Sequence, residues 1–422
     1  MSGDNGMGTK IGGSGLVGAA VPNLFLLAVF GCLSAADAGA QQTQPYAAPS
    51  GSGQPYVGAD LMAGYDSNVT RQAGGTPVVG SEFDRASLLA GFDHTYDRER
   101  VYALADVGRE TYRSESLYDY TTQQWRLGVQ ANLPRDFSAD LALSRSVQLA
   151  HQEDFSTIQR DVIAQDGVDS WFRFPLATEW HGVLGASASE LRNSNGLDVP
   201  TDLNTVQFEA GLRYQTGSEN YVDLLGRSEQ ATYPQGSAAS LYDLTSYHER
   251  GADIRIRWRF SGSSQLLGRA GYVERRNEIL TIRNFSGPAY DLTYVWTPGS
   301  KIRLEVYGLR ATGEPGDNDY LSAVTHTLRL APSYRPTENI RLESFALWSR
   351  IDFVSDLSAI QENLAPATSR SDRLSSYGLA ADWTPLRWLE LKLSAHFDDR
   401  TSTVPIWSYV DRVTMLEVRT KF

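Results

Sequence analysis

The sequence predicts an all-β transmembrane barrel, antiparallel and up-and-down, of about 18 strands (about 16 to 18). Three observations carry that expectation: period-two alternation of apolar and polar residues, tight turns at near-even spacing, and aromatic residues crowded beside those turns.

Alternation is clearest in three segments. Leu127, Val129, Ala131 and Leu133 interleave with Arg126, Gly128, Gln130 and Asn132; Ile254, Ile256, Trp258 and Phe260 interleave with Asp253, Arg255, Arg257 and Arg259. Leu389, Leu391, Leu393, Ala395 and Phe397 interleave with Glu390, Lys392, Ser394 and His396. Successive strand residues point to opposite faces, so the two faces of each segment meet different solvents.

Turns follow at Asp97-Arg98-Glu99, Pro134-Arg135-Asp136, Pro175-Leu176, Thr216-Gly217-Ser218, Ser261-Gly262-Ser263, Pro298-Gly299-Ser300, Arg335-Pro336-Thr337 and Thr384-Pro385-Leu386. Pro and Gly interrupt a ladder of backbone hydrogen bonds, which is why they punctuate it. From Pro134 onward the intervals are 41, 42, 45, 36, 38 and 49 residues, each the length of two long strands and a loop. Between the turns lie longer polar stretches, 72–81, 192–202, 313–319 and 355–371. Short turns on one rim and longer loops on the other is the layout of an outer-membrane barrel, and eight turns joining nine hairpins give 18 strands.

Tyr96, Tyr102, Phe174, Trp180, Tyr214, Tyr221, Trp258, Phe260, Tyr294, Trp296, Trp383 and Trp388 flank the short turns. Amphipathic rings favour the headgroup layer, so they are expected to form the periplasmic girdle; the competing reading is a set of plugs in a soluble sandwich or propeller. Leu416 to Phe422 alternates and ends on an aromatic residue, as a closing strand of such a barrel commonly does.

Residues 1–40 are expected to be a cleaved secretory signal: Lys10 is their only basic residue, an apolar run spans Leu24 to Leu33, and Ala38-Gly39-Ala40 precedes Gln41. The run is too short to span a bilayer. A lipoprotein signal ending at Cys32 is the alternative, against which bulky Phe30 stands. Cys32 is the only cysteine, so cleavage after Ala40 would leave no disulfide, thiol nucleophile or cysteine-held metal. Residues 41–55, rich in Gln, Pro, Ser and Gly, read as a flexible lead-in, and 56–422 as one barrel domain. Mean hydropathy is −0.33 and no long apolar run follows Gln41, which excludes a helical membrane protein but not a barrel. A net charge of −12 argues against nucleic-acid partners.

A charge facing lipid near mid-bilayer would cost roughly 2 to 4 kcal/mol, so charged positions are assigned to the lumen. The candidates are Asp60, Arg126, Asp140, Glu209, Arg213, Asp253, Arg255, Arg257, Arg259, Arg303, Glu305, Glu390 and Lys392. Arg255, Arg257 and Arg259 form the sharpest feature, three guanidinium groups about 7 Å apart along one strand. They fit either the guiding of an anionic sugar chain or a ladder of salt bridges to carboxylates on neighbouring strands; the ladder is the simpler reading. Hydrolysis has little support. None of His94, His151, His181, His248, His326 and His396 lies in a HExxH arrangement, no G-x-S-x-G elbow is present, and alternation turns His94 and His326 toward lipid near the rims. No metal or cofactor is expected.

Gly64-Tyr65-Asp66-Ser67-Asn68-Val69-Thr70-Arg71, with the aromatic-x-Pro turns Tyr334-Arg335-Pro336 and Trp383-Thr384-Pro385, resembles the outer-membrane β-barrel porin-like proteins of exopolysaccharide biosynthesis operons. Asp66, Asn68 and Arg71 match that family's motif residue by residue; locally, they would stop the first strand and fold the first outer loop. The resemblance implies a Gram-negative outer-membrane conduit for exopolysaccharide or capsule export, with passage and no covalent chemistry. The partners it implies are the polymer itself, a periplasmic polysaccharide-export protein, the barrel assembly machinery, and outer-membrane lipid and lipopolysaccharide. A diffusion porin, general or solute-selective, is the alternative, and an outer-membrane hydrolase a weaker one.

Overall fold

The computed structural model describes residues 55–72, 78–150, 160–195, 202–217, 220–235, 246–279, 281–313, 320–356 and 370–422. The segment read as a signal, Cys32, residues 41–54 of the lead-in, His151 and most of the long polar stretches lie outside them.

Eighteen strands run in chain order. They are β1 (Tyr56–Asp66), β2 (Ser81–Tyr96), β3 (Glu99–Tyr112), β4 (Tyr120–Asn132), β5 (Ser138–Leu149) and β6 (Val162–Pro175). Then come β7 (Trp180–Asn193), β8 (Leu203–Gln215), β9 (Tyr221–Thr232), β10 (Tyr247–Ser261), β11 (Ser264–Asn277) and β12 (Phe285–Trp296). The last third comprises β13 (Ile302–Gly313), β14 (Tyr320–Thr337), β15 (Ile340–Asp356), β16 (Ser371–Leu386), β17 (Leu389–Ser402) and β18 (Tyr409–Lys421).

Each strand pairs antiparallel with the next, and β18 returns to β1 in a register from Gly58↔Lys421 to Asp66↔Val413. Val57 and Phe422 exchange backbone hydrogen bonds of 3.1 and 2.8 Å, so the last residue completes the seam. Each strand thus has a hydrogen-bonded neighbour on both sides and the sheet has no free edge, as a wall in hydrocarbon requires. All eight predicted turns fall on one rim, and three carry a bulge or register shift, after Arg259, Tyr334 and Trp383. Pro134–Asp136 forms a short 3-10 turn in which Arg135 and Asp136 both take positive φ.

The two faces of the wall are inverted relative to a soluble protein. On β9, Asp223, Arg227 and Glu229 are buried while Leu224 between them is 60% exposed; Leu88 and Leu379 reach 73% and 70%. So continuous an apolar exterior is stable only against hydrocarbon, and the polar face turns inward, as in a transmembrane barrel.

Glycines admit rings along the wall. Tyr102 lies across its strand partner Gly128, where a Cβ would come within 2.2 Å of the ring. Trp171 covers Gly185 in the same way. Laying an aromatic ring over a facing glycine fills the missing side-chain volume and pins the register.

Most of the expected girdle faces outward: Trp180 packs on Tyr214, Trp388 stacks on Phe422, and Tyr96, Phe260, Trp296 and Trp383 are exposed. Tyr102 and Tyr221 depart from it. Tyr102 shares the buried face with Leu104, and Tyr221 lies under the Arg213 guanidinium at 3.7 Å. Both are near a turn along the chain but stand on the inward parity of their strands, and parity decides.

Candidate functional site

The inner wall is a charged surface with two dense regions. The first spans β8 to β11. Arg213 grips Asp223 with two parallel bonds of 2.7 and 2.8 Å. Arg255 donates to Glu209 at 2.9 Å, and Glu249 accepts from Arg227 at 2.6 Å and from Arg275 at 3.1 Å. Arg275 also lies over the Tyr247 ring at 3.8 Å. All these guanidinium groups are buried, so their partnerships are fixed in geometry; two-point Arg–carboxylate bonding is the strong form of such pairs.

The second region spans β15 to β18 and closes onto β1. Lys392 lies 3.4 Å from Asp382 and 3.5 Å from Glu343, and Arg341 binds Asp382 at 3.0 Å. Arg419 binds Asp60 at 2.7 Å across the seam and also contacts Glu417. Glu390 is half-buried opposite Arg419 in the β17–β18 register.

The three arginines of the row on β10 have different surroundings. Arg255 is buried against Glu209, whereas Arg257 and Arg259 share its parity but are exposed, near the rim of short turns. At Arg259 the backbone N–H donates to Asn220 Oδ1 at 2.8 Å. Alternation puts the row on one parity but does not say that its depth changes from the buried Arg255 to the exposed Arg257 and Arg259. Among the other candidates, Arg303 binds Glu305 at 3.0 Å, Arg126 stands 3.8 Å from Asp169, and Arg173 pairs with Asp140 at 3.3 Å.

Trp171 escaped the sequence reading. Its ring lies 4.5 Å from Arg255, although β6 and β10 are four strands apart on the wall. In an evenly round 18-stranded barrel, two positions so separated sit roughly 20 Å apart. Trp171 and Arg255 therefore lean toward each other across the inner face, bridging β6 and β10. Arg227 and Glu249 were also missed, yet the alternation Asp223, Leu225, Arg227, Glu229 in β9 carries the same signal that found Asp253 and Arg255.

At the opposite rim the octapeptide forms a seam latch. Asp66 Oδ1 accepts from the Asn68 backbone N–H at 2.8 Å and from Arg71 at 3.1 Å, with Arg71 held at φ 53°. Asn68 donates its side-chain amide to the Gln72 and Val410 carbonyls, and Arg71 lies 3.1 Å from Asp411 on β18. Ser67 donates to Asp411 at 3.1 Å. Arg71, Asp66 and Asn68 thus tie the end of the first strand to the start of the last. Beside the latch, His396, Asp398 and Asp411 bring potential metal ligands within 4.8 Å of one another, but the Arg71 guanidinium already supplies positive charge to Asp411.

No protein-family model matches the chain, and no curated protein does. The chain is similar to several solved structures. OccK1 (OpdK) of Pseudomonas aeruginosa is 11% identical, with 87% of this chain and 98% of that one covered and a TM-score of 0.46. OccAB3 of Acinetobacter baumannii is 9% identical over 87% and 99% of the two chains, with a TM-score of 0.47. OccK2 (OpdF) of P. aeruginosa in complex with glucuronate is 8% identical over 87% and 98%, with a TM-score of 0.47.

Proposed function

We propose that this protein resides in the outer membrane of a Gram-negative bacterium and passes charged, hydrophilic solutes by diffusion through its barrel. The observation that carries this is the inverted wall: a closed ring of 18 strands with apolar side chains outside and paired arginines and carboxylates inside. A fixed field of both signs lets a solute exchange its hydration for wall contacts without meeting an uncompensated charge. Exposed Arg257 and Arg259 at one mouth, without a carboxylate partner among the described residues, favour anions there. Passage makes and breaks no bond.

The test is reconstitution of purified protein into planar bilayers. Discrete conductance steps with a reversal potential displaced toward anions are expected; a protein that inserts yet never conducts would overturn the reading.

Export of exopolysaccharide is the second reading, supported by the resemblance of Gly64–Arg71 and by the aromatic and guanidinium pair Trp171–Arg255, a surface suited to sugar rings. It takes second place because Asp66, Asn68 and Arg71 bind one another, nearby backbone and β18 rather than facing a passenger. If it holds, deletion of the gene abolishes surface polymer while synthesis continues inside the cell, and a periplasmic export protein co-purifies with the barrel.

A further inference from the structure

The outer surface carries one row of residues that the channel does not use. Tyr290, Arg310, His326, Arg350 and Arg373 are successive cross-strand partners on β12 to β16, each directly opposite the next. Directly paired residues share a face, and here it is the outward one: His326, Arg350 and Arg373 are exposed alongside Leu328 and Trp348. Neighbouring pairs stand about 5 Å apart, so four basic side chains fall within roughly 15 Å.

Like charges directly opposite one another on a sheet destabilise it. Elsewhere on the outer surface that cost is offset within the protein, since Arg145 pairs with Asp166 at 2.6 Å, Arg276 with Glu274 at 2.7 Å and Arg192 with Glu190 at 2.5 Å. In this row one described carboxylate is in ion-pair contact, Asp352, 2.9 Å from Arg350; Asp399, outward on β17 and diagonal to Arg373, forms no ion pair with it. Arg310 donates to the Pro288 carbonyl at 2.7 Å, and Arg373 makes no ion pair or hydrogen bond with a described residue.

Height identifies what the row faces. Arg350 is ten residues along β15 from Ile340, whose strand partner is the girdle residue Trp383; His326 is eight residues from Tyr334 on β14. At about 3.4 Å per residue and a tilt of about 40°, the row lies some 21 to 26 Å above the girdle. An outer-membrane barrel has an apolar band about 25 Å tall, so this row stands at its outer edge. Directly against them is a groove of about 380 Å³ lined by Tyr290, His326, Leu328, Trp348, Arg350 and Arg373, basic at its upper lip and apolar below.

We propose that the outward face of β12 to β16 binds a phosphorylated glycolipid of the outer leaflet, the lipid A portion of lipopolysaccharide. Arg350 and Arg373 hold a phosphate by charge-assisted hydrogen bonds, Arg310 and His326 flank it, and an acyl chain lies along Leu328 and Trp348. The proposal deepens the outer-membrane reading and rests on it, because only that membrane presents phosphorylated sugar lipid at this height.

The test titrates purified barrel in detergent with lipid A, with dephosphorylated lipid A, and with lipid A in the presence of millimolar inorganic phosphate. Wild-type protein is expected to bind lipid A, to bind the dephosphorylated lipid roughly 10- to 100-fold more weakly, and to keep its lipid in inorganic phosphate. The R350Q/R373Q double variant is expected to lose affinity by a similar factor while retaining the heat-modifiable gel mobility of a folded barrel. Equal binding by the variant, or indifference to the lipid phosphates, overturns the proposal. Displacement by inorganic phosphate also overturns it, since the row would then be a free-anion site. Conductance, measured separately on the same preparations, depends on the lumen, so a barrel that fails to conduct but binds lipid A would remove the channel reading and leave this one standing.

Discussion

Arginine occurs in two settings in this wall, and the contrast between them is instructive. Inside, between β8 and β11, Arg213, Arg227, Arg255 and Arg275 each hold a carboxylate of the same chain and are buried. Outside, on β13 to β16, Arg310, His326, Arg350 and Arg373 stand side by side, and among the described residues Asp352 is the one carboxylate that forms an ion pair with them. A buried charge left alone is costly, so the inner face carries its own counterions. In the proposed lipid site, water and anionic headgroups would supply the counter-charge that the chain does not encode.

The comparison can be broken most severely by exchanging the two solvents. Leu379→Arg places a charge on the apolar exterior about four residues from the Trp383 girdle; at a cost of roughly 2 to 4 kcal/mol it should block or slow assembly. Normal yield of heat-modifiable barrel would show that this face does not meet lipid.

On the inner side, Glu249→Gln removes the carboxylate that Arg227 and Arg275 share. Breaking such a buried pair should cost about 3 kcal/mol, seen as a lower urea midpoint for unfolding from detergent micelles. An unchanged midpoint would mean that water already screens these groups.

A smaller loss is expected at the seam. Asp66→Asn weakens the acceptor for Arg71 and the Asn68 N–H, costing roughly 1 to 2 kcal/mol. Its specific signature is faster amide exchange where β1 meets β18; exchange raised equally in all strands would argue against a latch.

The mildest change sharpens the comparison instead. Arg257→Glu with Arg259→Glu alters exposed side chains, so stability should move by less than about 0.5 kcal/mol. The reversal potential in a salt gradient should nonetheless swing toward cations. If selectivity stays as it was, these residues do not border the solute path.

Much of this architecture is written locally. The β10 segment from Asp253 to Phe260 states its two faces in eight residues, and Thr384-Pro385-Leu386 states where a hairpin turns. Other features resisted local reading. Closeness to a turn suggested that Tyr102 and Tyr221 belonged to the girdle, although their parity turned them inward. The export reading gave weight to the Gly64–Arg71 octapeptide, whose polar residues prove to tie β1 to β18, about 340 positions away in the chain for the Asn68–Val410 contact.

By itself the sequence determined the strand count, the rim of short turns and the face on which most charges lie, because a repeat of two and the chemistry of Pro and Gly act between near neighbours. Only the closed wall decided that Arg255 meets both Glu209 and Trp171, that Arg257 and Arg259 emerge at a mouth, and that four basic residues from four strands line up as direct cross-strand neighbours. Those outcomes depend on register and curvature around the whole ring, which no single strand encodes.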